Sequence, residues 1–228
     1  MASKINFGLI FYNDTPELLR HCLENLKATG FPIIAIDGAF KEFLAGDKSG
    51  ALKPYSTDGS RELAEKYASI VIDGPADGWE NQAEKRNQYL DKVAEGEFIF
   101  VIDADEIIYP FTLMADLSDD VYKVIEHRFE TEDKFEPMST LRVYRKYFDL
   151  RYLYQHCRLY RTRQHNPKNL ESGLVAAAHH PENIKKRFLM DVYGNRVAFN
   201  HIKYARSPER RELKAAYYKT REEAKLGY

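Results

Sequence analysis

Phe98-Ile99-Phe100-Val101-Ile102, running into Asp103-Ala104-Asp105-Glu106, is the stretch on which the reading of the fold turns. Five consecutive apolar residues after Gly96, most of them β-favouring, predict a strand covered on both faces, as in a parallel sheet flanked by helices. Three carboxylates follow at its mouth. In open α/β sheets ligands bind beyond the carboxyl ends of the strands, so this cluster stands where a ligand would sit. Asp103 and Asp105 alternate across an extended segment, with Ala104 turned away between them, and can share one hard cation. The chain has fifteen Asp, so about one Asp-x-Asp arises by chance over its length; the apolar strand before it is what gives this one weight.

Upstream of that stretch the chain alternates. Ile5 to Phe11 predicts a first buried strand, and Asn13-Asp14-Thr15-Pro16-Glu17 supplies N-cap candidates, an early proline and an early acid for a helix. Leu18, Leu19, Cys22, Leu23 and Leu26 follow at helical spacing, and Gly30 ends the run. Pro32 to Ile36 reads as a second strand ending at Asp37-Gly38, which brings a second carboxylate to the same sheet edge. Ala39 to Tyr55 loses periodicity around Phe40, Phe43 and Leu44 and is read as a long excursion. Ser56-Thr57-Asp58-Gly59-Ser60 opens a helix to Ala68, Ile70-Val71-Ile72-Asp73 repeats the strand-then-Asp pattern, and Glu80 to Val93 predicts a helix carrying Lys85, Arg86 and Asn87. Strands and helices in strict alternation predict a doubly wound α/β sheet.

Past Glu106 the texture changes. Val121 to Phe129, Thr140 to Tyr147 and Cys157 to Tyr160 are predicted strands of mixed polarity, suited to an antiparallel extension. Gln164 to Asn183 is loop-rich and holds His165, Glu171, His179, His180 and Glu182. Arg196 to Ile202 predicts a last strand ending at His201. Ser207-Pro208-Glu209 opens a charged terminal helix to about Lys225, read as a solvated face packed by Leu213, Ala216 and Tyr217.

Composition narrows the function classes. A chain of 228 residues is enough for one α/β domain. A net charge of −1 and a pI near 6.7 give no global drive toward nucleic acid or an anionic membrane. Cys22 and Cys157 are the two cysteines, too few for a disulfide framework or a four-cysteine zinc site, and they point to a reducing compartment such as the cytoplasm. The start, Lys4 followed by the short run Ile5 to Tyr12, does not read as a secretory leader, and no stretch reaches membrane-spanning length, so stable membrane insertion is not expected.

Several pieces together resemble the family 2 glycosyltransferases, whose nucleotide-sugar-binding domain has the GT-A fold. They are Leu9-Ile10-Phe11-Tyr12-Asn13, Ser56-Thr57-Asp58-Gly59-Ser60-Arg61-Glu62, the Lys85-Arg86-Asn87 helix, and Phe100-Val101-Ile102-Asp103-Ala104-Asp105-Glu106. Arg158-Leu159-Tyr160-Arg161, Asn200-His201-Ile202 and Arg206-Ser207-Pro208-Glu209 are similar to later segments. The resemblance spans nearly the whole chain and implies a mixed, mainly parallel sheet flanked by helices, with residues 1–108 as the nucleotide-sugar half. Residues 109–228 would form an acceptor-side extension and C-terminal helix. Two features depart from the family. Ala39 to Tyr55 intervenes before the Ser-Thr-Asp-Gly segment, and the acceptor-side His-Glu pair has His179-His180-Pro181-Glu182 as its nearest counterpart.

What the resemblance implies chemically is transfer of a sugar from a nucleotide-diphosphate donor to a saccharide, lipid-linked or protein acceptor. The departing diphosphate requires a divalent cation, and oxygen-only ligands favour Mn2+ or Mg2+ over zinc. Asp105 would coordinate it directly, while Asp103 would act through water or bind the ribose. Tyr12 would stack on the nucleobase, Asp37 accept from it, Asp58 lie beside the nucleotide, Arg86 approach the diphosphate and His201 contact phosphate or metal. If the transfer inverts the anomeric centre, Glu182, His180 and Glu171, in that order, are candidates to take the acceptor proton. Each has an ordinary alternative: Glu84-Lys85-Arg86 also describes a solvated helix face, Tyr12 a core residue, and Asp37 and Asp73 strand-exit caps. Rival readings are a haloacid-dehalogenase-like phosphatase, a sugar-nucleotidyltransferase and a non-catalytic carbohydrate-binding or nucleotide-binding module.

Overall fold

The computed structural model describes residues 4–109, 117–129, 134–154, 158–164, 174–176, 187–191 and 193–202, with Pro208 and Glu212. The first half is built as its apolar runs dictate: β1 (Ile5–Ile10), α1 (Pro16–Ala28), β2 (Ile33–Ile36), α2 (Lys41–Gly46), α3 (Ser60–Tyr67), β3 (Ile70–Ile72), α4 (Gln82–Leu90) and β4 (Phe98–Asp103). β5 (Glu106–Tyr109), β6 (Val121–Phe129), β7 (Phe135–Arg145), β8 (Leu150–Tyr154), β9 (Arg158–Arg161), β10 (Leu174–Ala176), β11 (Arg187–Phe188) and β12 (Ala198–His201) follow. The large sheet runs β3-β2-β1-β4-β7-β6-β12-β5, with β11 added beside β6, and β10-β9-β8 form a second, three-stranded sheet. The class is the expected mixed α/β, parallel from β3 to β4 and joined to β7 by an antiparallel pair.

Both faces of β1, β2 and β4 are buried, which is why these strands read as unbroken apolar runs, while β3 at the edge is partly exposed. Phe98, Phe100 and Ile102 of β4 join Ile5, Phe7 and Leu9 of β1 and the Leu19, Cys22, Leu23 and Leu26 face of α1 in one core. Ile99 and Val101 point the other way and pack with Tyr89, Leu90 and Val93 around α4. At Gly8 the α4 side chain Tyr89 packs directly on β1, since a Cβ there would lie 2.8 Å from the Tyr89 ring. The chain leaves β1 toward β2 and β3, then returns to lay β4 on the other side of β1. That reversal opens the crevice beyond the strand ends.

Four expectations shift. The helix predicted from Glu80 to Val93 is confined to Gln82–Leu90, because Asn81 caps it by accepting from the Glu84 amide at 2.9 Å. The excursion from Ala39 to Tyr55 contains α2 and is anchored at both ends: Ala39 N donates to Pro54 O, and Ala39 O and Lys41 N pair with the Trp79 backbone. The strand expected from Thr140 starts five residues earlier, at Phe135. β5, β8, β10 and β11 were not expected. β5 is held to α1 by Asn25, whose side chain bonds both the N–H and the C=O of Ile108 at 2.8 and 3.0 Å. Apart from Pro208 and Glu212, both helical, the predicted terminal helix lies outside the described residues. No helix among the described residues is long and apolar enough to cross a membrane.

Candidate functional site

β4 ends on Asp103, and a two-residue turn through Ala104 and Asp105 sends the chain back as β5. Glu106 closes this turn by accepting from the Asp103 amide at 2.9 Å. β5 pairs antiparallel with β12 so that Glu106 lies opposite His201, and the Ile202 amide donates to Asp105 O at 3.0 Å. Register therefore delivers a distant histidine to the acidic turn. His201 Nε2 comes to 3.2 Å from Asp105 Oδ2, while Nδ1 bonds Glu126 Oε1 of β6 at 2.9 Å.

Asp103, Asp105, Glu106 and Glu126 face Arg86, Arg142, Arg128 and His201. Arg142 Nη2 lies 2.7 Å from Glu106 Oε1, and Arg128 Nε lies 3.1 Å from Glu126 Oε1. Burial lifts the Glu106 carboxyl to about 7, against the opposing charge of Arg142. Burial works the same way on Glu126, but the His201 hydrogen bond and the Arg142 and Arg128 charges outweigh it and hold the group at about 2. Burial pulls His201 down, whereas Asp105 and Glu126 beside it raise it to about 9. The Cys22 thiol under this turn is pushed well above its ordinary value by burial and then by Glu106 and Asp105, so it is not poised as a nucleophile.

A divalent cation fits part of this arrangement. His201 Nε2 is a buried nitrogen outside any aligned hydrogen bond despite the nearby carboxylate. A separation of 3.2 Å from Asp105 Oδ2 is close to the roughly 3 Å between neighbouring oxygen or nitrogen ligands on one small cation. Glu126 behind Nδ1 is the carboxylate that usually orients a metal-binding imidazole. Among the described residues no three His, Cys, Asp or Glu side chains converge as a metal group, so the remaining ligands would come from water or substrate.

α4 supplies the cations on the other side. Arg86 is 1 % exposed, donates from Nη2 to Asp103 Oδ1 at 2.7 Å and from Nη1 to Tyr89 Oη at 3.2 Å. The Asp103 side chain keeps 23 % of its surface exposed. Lys85 is equally buried, and its Nζ donates to Phe11 O and Gly38 O at 2.6 and 2.5 Å, tying together the ends of β1 and β2. Neither residue lies on a solvated face.

The other candidates gather at the β1 and β2 ends. Asp37 is fully buried and accepts from Gly38 N, Ser56 N and Ser56 Oγ. The Ser56 segment thus reaches β2 in spite of the intervening residues, and Asn13 clasps it through Ser56 Oγ and Thr57 N. Asp58 is exposed and accepts from Ser60 N at 3.0 Å. Tyr12 is 1 % exposed, its ring against Phe43 and its hydroxyl donating to Lys53 O at 2.8 Å, so residues of the 39–55 segment cover it. Asp73 pairs with Arg61. Glu171, His180 and Glu182 lie outside the described residues. Sequence reasoning passed over Glu126, Arg142, Tyr89 and Tyr152; Glu126 as the one acid of β6, and Arg142 between Leu141 and Val143 of β7, were the available signal for the first two.

No family model and no curated protein matches the chain. Among solved structures it superimposes on S. aureus TarS 1-349 with a TM-score of 0.37 and 17 % identity, over 63 % of this chain and 47 % of that one. The chain thus spans about half the length of that structure, and so distant a likeness carries no functional argument.

Proposed function

We propose that the chain is a divalent-cation-dependent glycosyltransferase that moves a sugar from a nucleotide diphosphate to an acceptor hydroxyl. The observation that supports it is Asp105 set against His201, with Glu126 behind the imidazole, at the mouth of β4. In this reading Asp105 and His201 hold Mn2+ or Mg2+, which when bound offsets charge on the departing diphosphate. Asp103, with one oxygen committed to Arg86, turns its exposed edge toward the ribose or a water on the cation. Arg86 acts through Asp103. Glu126 keeps the His201 Nδ1 proton in place so that Nε2 faces Asp105. Asn13, Asp37 and Ser56 shape the rim beyond β1 and β2, where the nucleoside would enter. Glu182, then His180 and Glu171, remain the candidates for the acceptor proton in an inverting displacement.

The test is release of nucleoside diphosphate from a panel of nucleotide sugars with Mn2+ and without acceptor. The proposal expects slow hydrolysis of the donor to sugar and nucleoside diphosphate, abolished by EDTA and in Asp105→Ala. Unchanged turnover in Asp105→Ala overturns it. Release of inorganic phosphate instead favours the phosphatase, and binding without turnover favours a recognition module.

A further inference from the structure

The three-stranded sheet is fastened to α4 by a side chain acting as a strand edge. Asn87 Nδ2 donates to Tyr152 O of β8 and Asn87 Oδ1 accepts from Tyr152 N, both at 2.9 Å. The side chain of the same tyrosine then turns under the crevice. Tyr152 is 2 % exposed, and its Oη accepts from Tyr89 Oη at 2.8 Å, the two rings meeting edge to face. Tyr89 Oη accepts from Arg86 Nη1 at 3.2 Å, and Arg86 Nη2 donates to Asp103 Oδ1 at 2.7 Å. Four side chains on α4, β8 and β4 form one unbroken line from the small sheet to the acidic turn.

The chemistry of that line is directional. A guanidinium is planar, so anchoring both terminal nitrogens fixes its plane, and rotating it breaks one bond or the other. A hydroxyl that accepts from a cation is polarised into a better donor, which strengthens the Tyr89 to Tyr152 step. Moving β8 therefore shifts Tyr89, tilts Arg86 and changes what Asp103 presents to a ligand.

We propose that Tyr152 is a positioning residue that sets Asp103 through Tyr89 and Arg86, so that the seating of the β8–β10 sheet and ligand binding in the crevice are thermodynamically linked. Linkage is reciprocal: a ligand that orders the crevice also tightens the sheet. The ligand half of this inference rests on the nucleotide-diphosphate reading; the Arg86 half does not.

The test uses Tyr152→Phe beside Tyr144→Phe, the loss of a buried tyrosine hydroxyl whose hydrogen bond goes to Leu141 O at 2.6 Å. In ligand-free protein, 15N NMR of the Arg86 side chain should show hindered guanidinium rotation in the wild type and in Tyr144→Phe, and faster rotation in Tyr152→Phe. With Mn2+ and a panel of nucleoside diphosphates, Tyr152→Phe should weaken binding by about fivefold, the low end of coupling between sites, and Tyr144→Phe should not. Identical Arg86 signals in wild type and Tyr152→Phe, or equal effects of the two variants, overturn the proposal. A wild type that binds no nucleoside diphosphate while its Arg86 signals still respond to Tyr152→Phe removes the glycosyl-transfer reading and leaves the positioning role standing.

Discussion

Replacing His201 by glutamine removes the one titrating cation that faces Asp105, Glu106 and Glu126 while keeping a side chain able to donate to Glu126. Raising the imidazole from 6.5 to about 9 in the native state corresponds to roughly 3 kcal/mol of preference for the charged ring. That is of the size expected when one partner of a buried ion pair is deleted. The folded value lies above the unfolded one, so the contribution is complete below about pH 6.5 and is lost as pH rises through about 9. Urea unfolding of wild type and His201→Gln in EDTA should therefore give a stability gap of roughly 3 kcal/mol at pH 6 that closes toward zero at about pH 9.5. A gap that is the same at both pH values would refute the reasoning, because His201 would then stabilise the cluster by packing and not by its charge.

The same groups predict the pH profile of the wild type. Glu126, held near 2 against an ordinary 4.5, contributes stability above pH 4.5 that is lost as pH falls through about 2, whereas Glu106, raised to about 7, loses stability for the fold as pH climbs from 4.5 through 7. Melting temperature in EDTA should peak on the acid side of neutrality, and a steady rise to pH 9 would contradict this. Gly74→Ala would set a Cβ 2.9 Å from Trp79 Nε1, which donates to Asp37 O at 2.7 Å. Overpacking there should cost about 1–3 kcal/mol and shift the emission of the single tryptophan. Asn81→Ala removes the α4 cap and should lower stability by about 1 kcal/mol in denaturant titration.

The half of the fold from β1 to β4 was legible because β1, β2 and β4 are buried on both faces and hydrophobicity alone marks them, while the edge strand β3 is a run of β-branched residues. Past Glu106 the strands carry one buried and one open face or end in buried charge, and their signal weakens accordingly. Glu126 and Arg142 illustrate why: each is charged, as a surface residue would be, yet Glu126 is buried and Arg142 largely covered because ion-pair partners come from strands distant in sequence. The partners of Lys85 and Arg86 are Phe11 O, Gly38 O and Asp103 Oδ1, none of which helical periodicity can announce, so a solvated helix face stood as the alternative to a functional Arg86. Asp103 and Asp105 stood out because the acids directly follow their own strand, whereas His201 owes its place to the pairing of β12 with β5.

Consecutive placement of Lys85 and Arg86 has a bearing on how this gene can vary in length. Neighbours on a helix diverge by about 100°, so one turn of α4 sends one cation to the β1 and β2 ends and the next to the end of β4. Losing or gaining a single codon between Gln82 and Glu84 would swing both heads away from their acceptors at once. The turn at Asp47, whose carboxylate bonds Ser49 and Leu52 within its own loop, is a place where a change of length leaves the register of α4 unchanged.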